Sequence, residues 1–249
     1  MKNELKARLK RGEKTVGAWI TIPHMDVSEA LSTLPFDWFV FDQEHSALDD
    51  QITQELIQAV KGEVTPIVRV AWNDMVMIKK ALDTGVEGII IPWVNSKEDA
   101  VKAVKFCKYP PEGVRGCGPR RTIILDPDYL KTVNDELLII VQIETQEAVK
   151  NAEEIMSVDG IDAFFVGPFD LSSSMGLMGQ IDHPKVRDAI ERVFEAGKNA
   201  GIASGIWQGA GMSIRERLEE GWQMVALGMD INFLMDGARS ILREAGVYK

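Results

Sequence analysis

Two short acidic segments, Val141-Gln142-Ile143-Glu144 and Val166-Gly167-Pro168-Phe169-Asp170, each close an apolar run. The runs, Leu137-Leu138-Ile139-Ile140 and Ala163-Phe164-Phe165-Val166, predict strands buried on both faces, where a free carboxylate is costly. Glu144 and Asp170 therefore belong at strand rims. Two rim carboxylates are a minimal oxygen-ligand set for a divalent metal that keeps positions open for water and substrate. Asp42, Glu44 and His45 follow a third apolar run, and Arg69 interrupts a fourth, Pro66-Ile67-Val68-Arg69-Val70. A buried guanidinium needs an anionic partner: a substrate carboxylate or enolate is one, an ion pair with Glu44 or Asp42 the other. His45, one of three histidines, is placed for proton transfer where strand ends share a pocket. Plainer roles exist as well. Glu144 could merely favour the N-terminus of a following helix and Asp170 could be an N-cap. Trp72, Trp93 and Trp207, also near strand ends, read as packing.

The chemistry these groups fit is enolate formation. A metal chelated by a 2-oxo acid polarises the ketone, Arg69 neutralises the developing oxyanion, and a base moves a proton. A Schiff-base lysine is the other route to an enolate equivalent, but it needs a lysine on a strand, and the predicted strands contain none.

Apolar strand-like runs alternate with amphipathic helical patterns along the whole chain. Strands are predicted at 16–21, 38–42, 66–70, 88–92, 137–144, 163–167, 203–208 and 224–228, and helices at 51–61, 75–84, 97–108, 146–156, 184–200 and 213–220. Asn73-Asp74 and Asn95-Ser96 are N-cap candidates; Gly85, Gly201 and Gly221 fall where helices should stop. Eight strands with interleaved helices and no linker predict an α/β fold, a single (β/α)8 TIM barrel over residues 1–249, whose C-terminal strand ends converge on one rim. An open doubly wound sheet usually carries a Gly-rich phosphate turn after its first strand, and Thr21-Ile22-Pro23-His24 is not one. The connection 109–127 reads as one long irregular loop, functional or in an assembly contact. The final helix, about 231–247, has two placements open: closing the barrel floor or exchanging with a neighbouring subunit.

The formal net charge of −10 argues against nucleic acid or an anionic membrane as partner. No apolar stretch reaches the length of a membrane span, and the charged start Met1-Lys2-Asn3-Glu4 does not read as a secretory signal. Cys107 and Cys117 show no metal-type spacing, which fits a reducing cytoplasm.

Five segments in order over residues 5–243 resemble the HpcH/HpaI aldolase family, in particular its 4-hydroxy-2-oxoheptanedioate and 2-dehydro-3-deoxyglucarate aldolases. They are Phe41-Asp42-Gln43-Glu44-His45, Val68-Arg69-Val70-Ala71-Trp72-Asn73-Asp74, the stretch from Tyr109 to Gly116, Val141-Gln142-Ile143-Glu144-Thr145, and Val166-Gly167-Pro168-Phe169-Asp170-Leu171-Ser172. The resemblance implies a class II aldolase that reversibly cleaves a 4-hydroxy-2-oxo acid to pyruvate and an aldehyde. Glu144 and Asp170 would hold Mg2+, Mn2+ or Co2+. Gln142 and the backbone at Phe169 and Asp170 would bind the pyruvate carboxylate end. His45 would be the base, Arg69 the transition-state stabiliser, and Asp42 a member of the same catalytic group. Asp83 would raise the basicity of the histidine from a neighbouring subunit, in an obligate oligomer, commonly a hexamer. Gln43, Phe169, Trp207 and the stretch Pro119-Arg120-Arg121-Thr122 depart from the family pattern near the aldehyde side, where Arg120 or Arg121 is a candidate for selecting a carboxylated aldehyde. A same-site lyase on CoA esters, or a decarboxylase or synthase acting on oxaloacetate, is the alternative. A further reading places a phosphorylated ligand at Gly205-Ile206-Trp207-Gln208-Gly209-Ala210-Gly211.

Overall fold

The computed structural model describes residues 2–207 and 213–247. Eight strands, β1 (Thr15–Ile20), β2 (Trp38–Asp42), β3 (Thr65–Arg69), β4 (Gly88–Ile91), β5 (Leu138–Ile143), β6 (Ala163–Val166), β7 (Ala203–Trp207) and β8 (Met224–Met229), pair in parallel in chain order, and β8 closes on β1. The helices are α1 (Glu4–Lys10), α2 (Met25–Ser32), α3 (Asp50–Ala59), α4 (Met75–Asp83), α5 (Lys97–Cys107), α6 (Arg120–Leu125), α7 (Tyr129–Glu136), α8 (Gln146–Lys150), α9 (Ala152–Met156), α10 (Pro168–Ser174), α11 (Pro184–Ala200), α12 (Ile214–Glu220) and α13 (Asp230–Glu244). This is the single (β/α)8 barrel expected from the alternation of periods.

Alternate residues along each strand divide between two cores. Trp38, Val40, Ile67, Ile90, Leu138, Ile140 and Phe165 fill the barrel interior, while Phe39, Phe41, Val68, Ile89, Ile139, Val141 and Phe164 pack outward under the helices. Continuing the same two-residue period carries Asp42, Arg69, Gln142 and Glu144 into the top of the interior, above the apolar layers. The interior accepts the Phe165 ring because the neighbouring strand supplies glycine beside it. Gly205 is the register partner of Phe165, and a Cβ there would lie 2.4 Å from Phe165 Cδ2.

The helix boundaries follow local chemistry. The Asp74 carboxylate caps α4 by accepting from the Val76 and Met77 amides, and Ser96 caps α5. Gly201 and Gly221 end α11 and α12 in the left-handed region. Three expectations need correction. The 146–156 segment breaks at Asn151 into α8 and α9. The 109–127 connection is not irregular throughout, since 120–125 form α6. The barrel floor is closed by α1, not by the final helix. Leu5 and Leu9 of α1 join the interior cluster. Asn3 Nδ2 donates to Glu87 O at 2.8 Å, and Lys6 Nζ donates to Leu137 O at 2.8 Å and pairs with Asp162 at 2.9 Å. These partners sit just before β4, β5 and β6, so α1 lies across the N-terminal strand ends.

The final helix starts at the opposite face. Asp230, directly after β8, accepts from the Thr21 and Ile22 amides, each at 2.8 Å, and ties α13 to the end of β1. Beyond Asp230 the helix buries no residue, and Ile231, Leu234, Met235, Ile241 and Leu242 are exposed. No helix among the described residues is long and apolar enough to cross a membrane.

Candidate active site

At the C-terminal ends of β2, β3, β5 and β6 the polar side chains meet. Arg69 forms a buried fork with Asp42, Nε donating to Oδ1 at 2.8 Å and Nη2 to Oδ2 at 2.7 Å. Its remaining nitrogen, Nη1, lies 3.1 Å from Glu44 Oε2. Of the two partners open for Arg69, the side chain therefore takes both acidic neighbours of its own chain. Asp42 Oδ1 also accepts from the Glu44 amide at 3.0 Å and the His45 amide at 3.4 Å, which folds the turn after β2 over the guanidinium. The His45 ring is 61 % exposed, with Nε2 3.8 Å from Glu44 Oε2.

Glu144 sits deeper, at 2 % exposure. Thr145, not Glu144, caps α8, so the Glu144 carboxylate is free of the helix-start role. Oε1 accepts from the Trp93 amide at 2.9 Å, and Oε2 accepts from Gln142 Nε2. Trp93 is the non-glycine residue with positive φ among the described residues, at 56°, a strained backbone that turns its N–H toward Glu144. Asp170 lies in the first turn of α10, whose N-cap is Gly167, so Asp170 is not the N-cap it was open to being. Among the described residues its carboxylate takes no hydrogen bond. Gly167 lets the two rims approach: a Cβ there would be 3.3 Å from both Gln142 Nε2 and Glu144 Oε2.

Electrostatically the rim is crowded with negative charge. Burial, reinforced by Glu44 and Asp170 and opposed by the Trp93 amide and Arg69, pushes the Glu144 carboxyl up to about 7. Burial likewise raises Glu44 to about 7, with Arg69 opposing and Asp42 and Asp170 reinforcing. Gln142 Oε1 is buried with no hydrogen-bond partner, and Glu44 Oε2 has only its ion pair with Arg69 and no hydrogen bond. Hard oxygen donors, an orphaned acceptor and mutually repelling carboxylates fit a divalent cation. Among the described residues no three His, Cys, Asp or Glu side chains form a ready-made cage, so the protein would supply two carboxylates and leave the rest to water and substrate. No lysine lies on any of the eight strands, so an imine has no amine in the barrel wall.

A cavity of about 240 Å³ opens over this group. Its lining combines the polar His45, Arg69, Gln142 and Asp170 with the apolar Trp19, Phe165, Phe169, Trp207 and Met229. Trp19 carried no signal in a motif; the alternation of β1 alone points it inward. The Trp93 amide had no sequence signature, because it is backbone. Trp72 and Trp93 are not packed away as expected but half-exposed and face each other at 5.8 Å.

Asp83 does not reach this cavity within one chain. It ends α4, which returns from the rim to the start of β4 at the other end of the barrel, and Arg115 Nη2 donates to it at 2.7 Å. Arg121 is at the same end, donating to Thr84 O at 2.5 Å. The glycine-rich stretch proposed for phosphate falls largely on 208–211, outside the described residues.

Fold and rim together define a closed β/α barrel with an acidic cluster at its C-terminal face, the face on which enzymes of this fold place their active sites. The chain matches the HpcH/HpaI aldolase/citrate lyase family model over residues 15–236, and it belongs to that family. It is 39 % identical over 254 residues to a 4-hydroxy-2-oxo-heptane-1,7-dioate aldolase of Salmonella newport (strain SL254), covering 100 % of this chain and 97 % of that one. Among solved structures, an HpcH/HpaI aldolase/citrate lyase family protein from Burkholderia cenocepacia superposes with a TM-score of 0.92 at 33 % identity, over 98 % of this chain and 99 % of that chain. The citrate synthase SbnG superposes with a TM-score of 0.88 at 29 % identity, over 97 % of each. The protein is accordingly a carbon–carbon lyase.

Proposed function

We propose that the protein is a divalent-cation-dependent class II aldolase that reversibly cleaves a 4-hydroxy-2-oxo acid to pyruvate and an aldehyde. The observation that supports this reading is one cavity lined by Arg69, Gln142 and Asp170, with the buried Glu144 carboxylate accepting from Gln142 behind it. Bound by Glu144 and Asp170, a cation such as Mg2+, Mn2+ or Co2+ supplies Lewis-acid polarisation of the keto group. Gln142 and the amides at Phe169 and Asp170 hold the carboxylate end of the 2-oxo acid. Arg69, kept rigid by Asp42, presents positive charge to the oxyanion as it develops. His45, exposed to the cavity, takes the proton of the 4-hydroxyl in cleavage and the methyl proton of pyruvate in synthesis.

Asp83 enters from a neighbouring copy and orients His45, in an oligomer up to a hexamer. Support for assembly comes from α13, whose apolar face is uncovered in the single chain and fits exchange with a neighbour. Two unpaired cysteines go with a cytoplasmic location.

Similarity to a citrate synthase favours a second reading of the same site, carbon–carbon bond formation on oxaloacetate. Product analysis separates the two. Metal-stripped protein given pyruvate, an aldehyde and Mn2+ should yield a 4-hydroxy-2-oxo acid, and should yield none without the metal. Full activity after chelation would remove the cation from the reading; condensation only with oxaloacetate would favour the synthase.

A further inference from the structure

Resting on the reading that Asp83 orients His45 of a neighbouring copy, we infer that Arg115 is the positioning residue that fits Asp83 for that task. Arg115 lies in the connection after α5, and its side chain is 0 % exposed. Nη2 donates to Asp83 Oδ1 at 2.7 Å and Nη1 to the Tyr129 hydroxyl at 3.1 Å. The guanidinium carbon stands 4.5 Å from the centre of the Tyr109 ring and 5.8 Å from that of Tyr129. A carboxylate, a hydroxyl and two rings therefore fix the plane of the charge.

The surrounding chain is set as closely. The Val114 amide donates to Lys105 O at 2.8 Å and the Arg115 amide to Lys108 O at 2.9 Å, which lays this segment on the end of α5. A Cβ at Gly113 would lie 2.3 Å from Lys108 O, so the approach requires glycine. Asn134 of α7 brackets Tyr109, accepting from its amide at 2.8 Å and donating to its carbonyl at 3.0 Å. Further along, Arg121 donates to Thr84 O at 2.5 Å. The 109–127 connection thus grips the end of α4 twice, through the Asp83 side chain and through the Thr84 backbone.

Stability alone does not call for this arrangement. Withdrawing a guanidinium from water is costly, and well-packed apolar side chains can hold a fold as well as a buried ion pair. What the guanidinium adds is a geometry for Asp83. That residue ends α4, where the helix dipole disfavours an acidic side chain, and Arg115 supplies the compensating charge. By holding Oδ1 it also stops the carboxylate from rotating. The Asp83 side chain is 30 % exposed, and among the described residues Oδ2 takes no hydrogen bond. A carboxylate clamped at one oxygen and open at the other is ready for an imidazole N–H. It then sets the tautomer of the ring and leaves the second nitrogen to move a proton.

The test reads exchange of the pyruvate methyl protons in D2O by the full-length protein with Mn2+. Asp83→Asn and Arg115→Met are each expected to slow kcat of exchange by about 10–100-fold with little change in the KM for pyruvate. In the Asp83→Asn background Arg115→Met should cost no further activity, because it acts only through the carboxylate. An additive loss would mark Arg115 as general support of the fold and overturn the inference. Arg115→Lys keeps a buried charge but cannot bridge Asp83 and Tyr129; it covers a failure of Arg115→Met to fold, with the same cancellation expected.

Co-expressed Arg115→Met and His45→Gln chains should regain exchange above the sum of their separate rates, since one mixed interface joins an intact His45 to an intact Asp83–Arg115 pair. Co-expressed Asp83→Asn and His45→Gln chains are the control. Recovery in the control alone, or full exchange by folded Arg115 variants, would overturn the inference and leave the shared site standing. Recovery in neither mixture, or unchanged exchange in Asp83→Asn, would overturn both.

Discussion

Arg69 and Asp42 form a two-pronged buried ion pair at the end of adjacent strands, with both hydrogen bonds between 2.7 and 2.8 Å. The pair is in register, Asp42 opposite Arg69, so the sheet itself sets its geometry. Removing one partner leaves the other charge buried. Asp42→Ala is expected to lower unfolding free energy by about 3–5 kcal/mol in denaturant titrations. Arg69→Lys, which cannot reproduce the planar fork, should lose activity as well. A loss below about 1 kcal/mol for Asp42→Ala would mean that the pair does not hold the rim together.

Glu144 has the opposite energetic sign. Its carboxylate is buried, strained against Glu44 and Asp170, and raised to about 7. Glu144→Gln keeps the shape and removes the charge. At pH 8 the metal-free variant should be more stable than the parent protein, by up to ~3 kcal/mol, while Mn2+ binding measured by calorimetry should disappear. A purely structural glutamate would give the reverse: lower stability and unchanged Mn2+ binding.

The same shift fixes the pH dependence. Glu144 and Glu44 titrate near 7 in the folded protein against an ordinary 4.5, so between those values the folded state binds more protons than the unfolded one. Stability of the metal-free protein is therefore expected to fall as pH rises from about 4.5 through about 7. Added Mn2+ competes with those protons, and its apparent affinity should rise up to about tenfold per pH unit below 7 and level off above it. Thermal melts with EDTA and with Mn2+ should thus diverge as pH increases. Parallel melts would remove these carboxylates as the cation's ligands.

His45 offers a separation of chemistry from structure. Its ring is 61 % exposed and holds nothing in place, so His45→Gln should leave the melting temperature and Mn2+ affinity near those of the parent. Exchange of pyruvate methyl protons in D2O, followed by NMR, should slow by about 10²-fold or more. Unchanged exchange would assign the proton to another group.

How much of this was legible in the residues depended on whether the cause was local. The doubly apolar runs ending in Asp42, Glu144 and Gly167 placed three strand ends almost to the residue, because burial on both faces and a rim carboxylate leave few alternatives. The helix α1 escaped notice. It is short and charged, and what recommends it, Leu5 and Leu9 plugging the floor, is a long-range contact with β5 and β8 neighbours. The role of Trp93 escaped for a different reason: its contribution is an amide in an unusual conformation, and side-chain type does not announce that. Asp83 shows the limit of reading a single chain, since its own fold carries it away from the rim.

The final helix is where single-chain physics is incomplete. This fifteen-residue helix is anchored near its start by buried Asp230 and by Phe233, which packs against Phe36, while the rest of it leans on nothing in the single chain, and isolated helices of this length are marginal in water. Its apolar side chains repeat at helical spacing, Ile231, Leu234 and Met235 in the first turns and Ile241 and Leu242 in the last. Such a stripe is stable when another surface covers it, and a second copy of the chain is the partner that the exchange reading names. Leu234→Glu together with Leu242→Glu should break that cover without touching the barrel. Light scattering after size exclusion at micromolar concentration is expected to report a drop from the parent oligomer to a smaller species. Far-UV circular dichroism should lose at most the signal of this one helix. An unchanged mass for the double variant would show that α13 faces solvent in the assembly and that its apolar stripe serves no subunit contact.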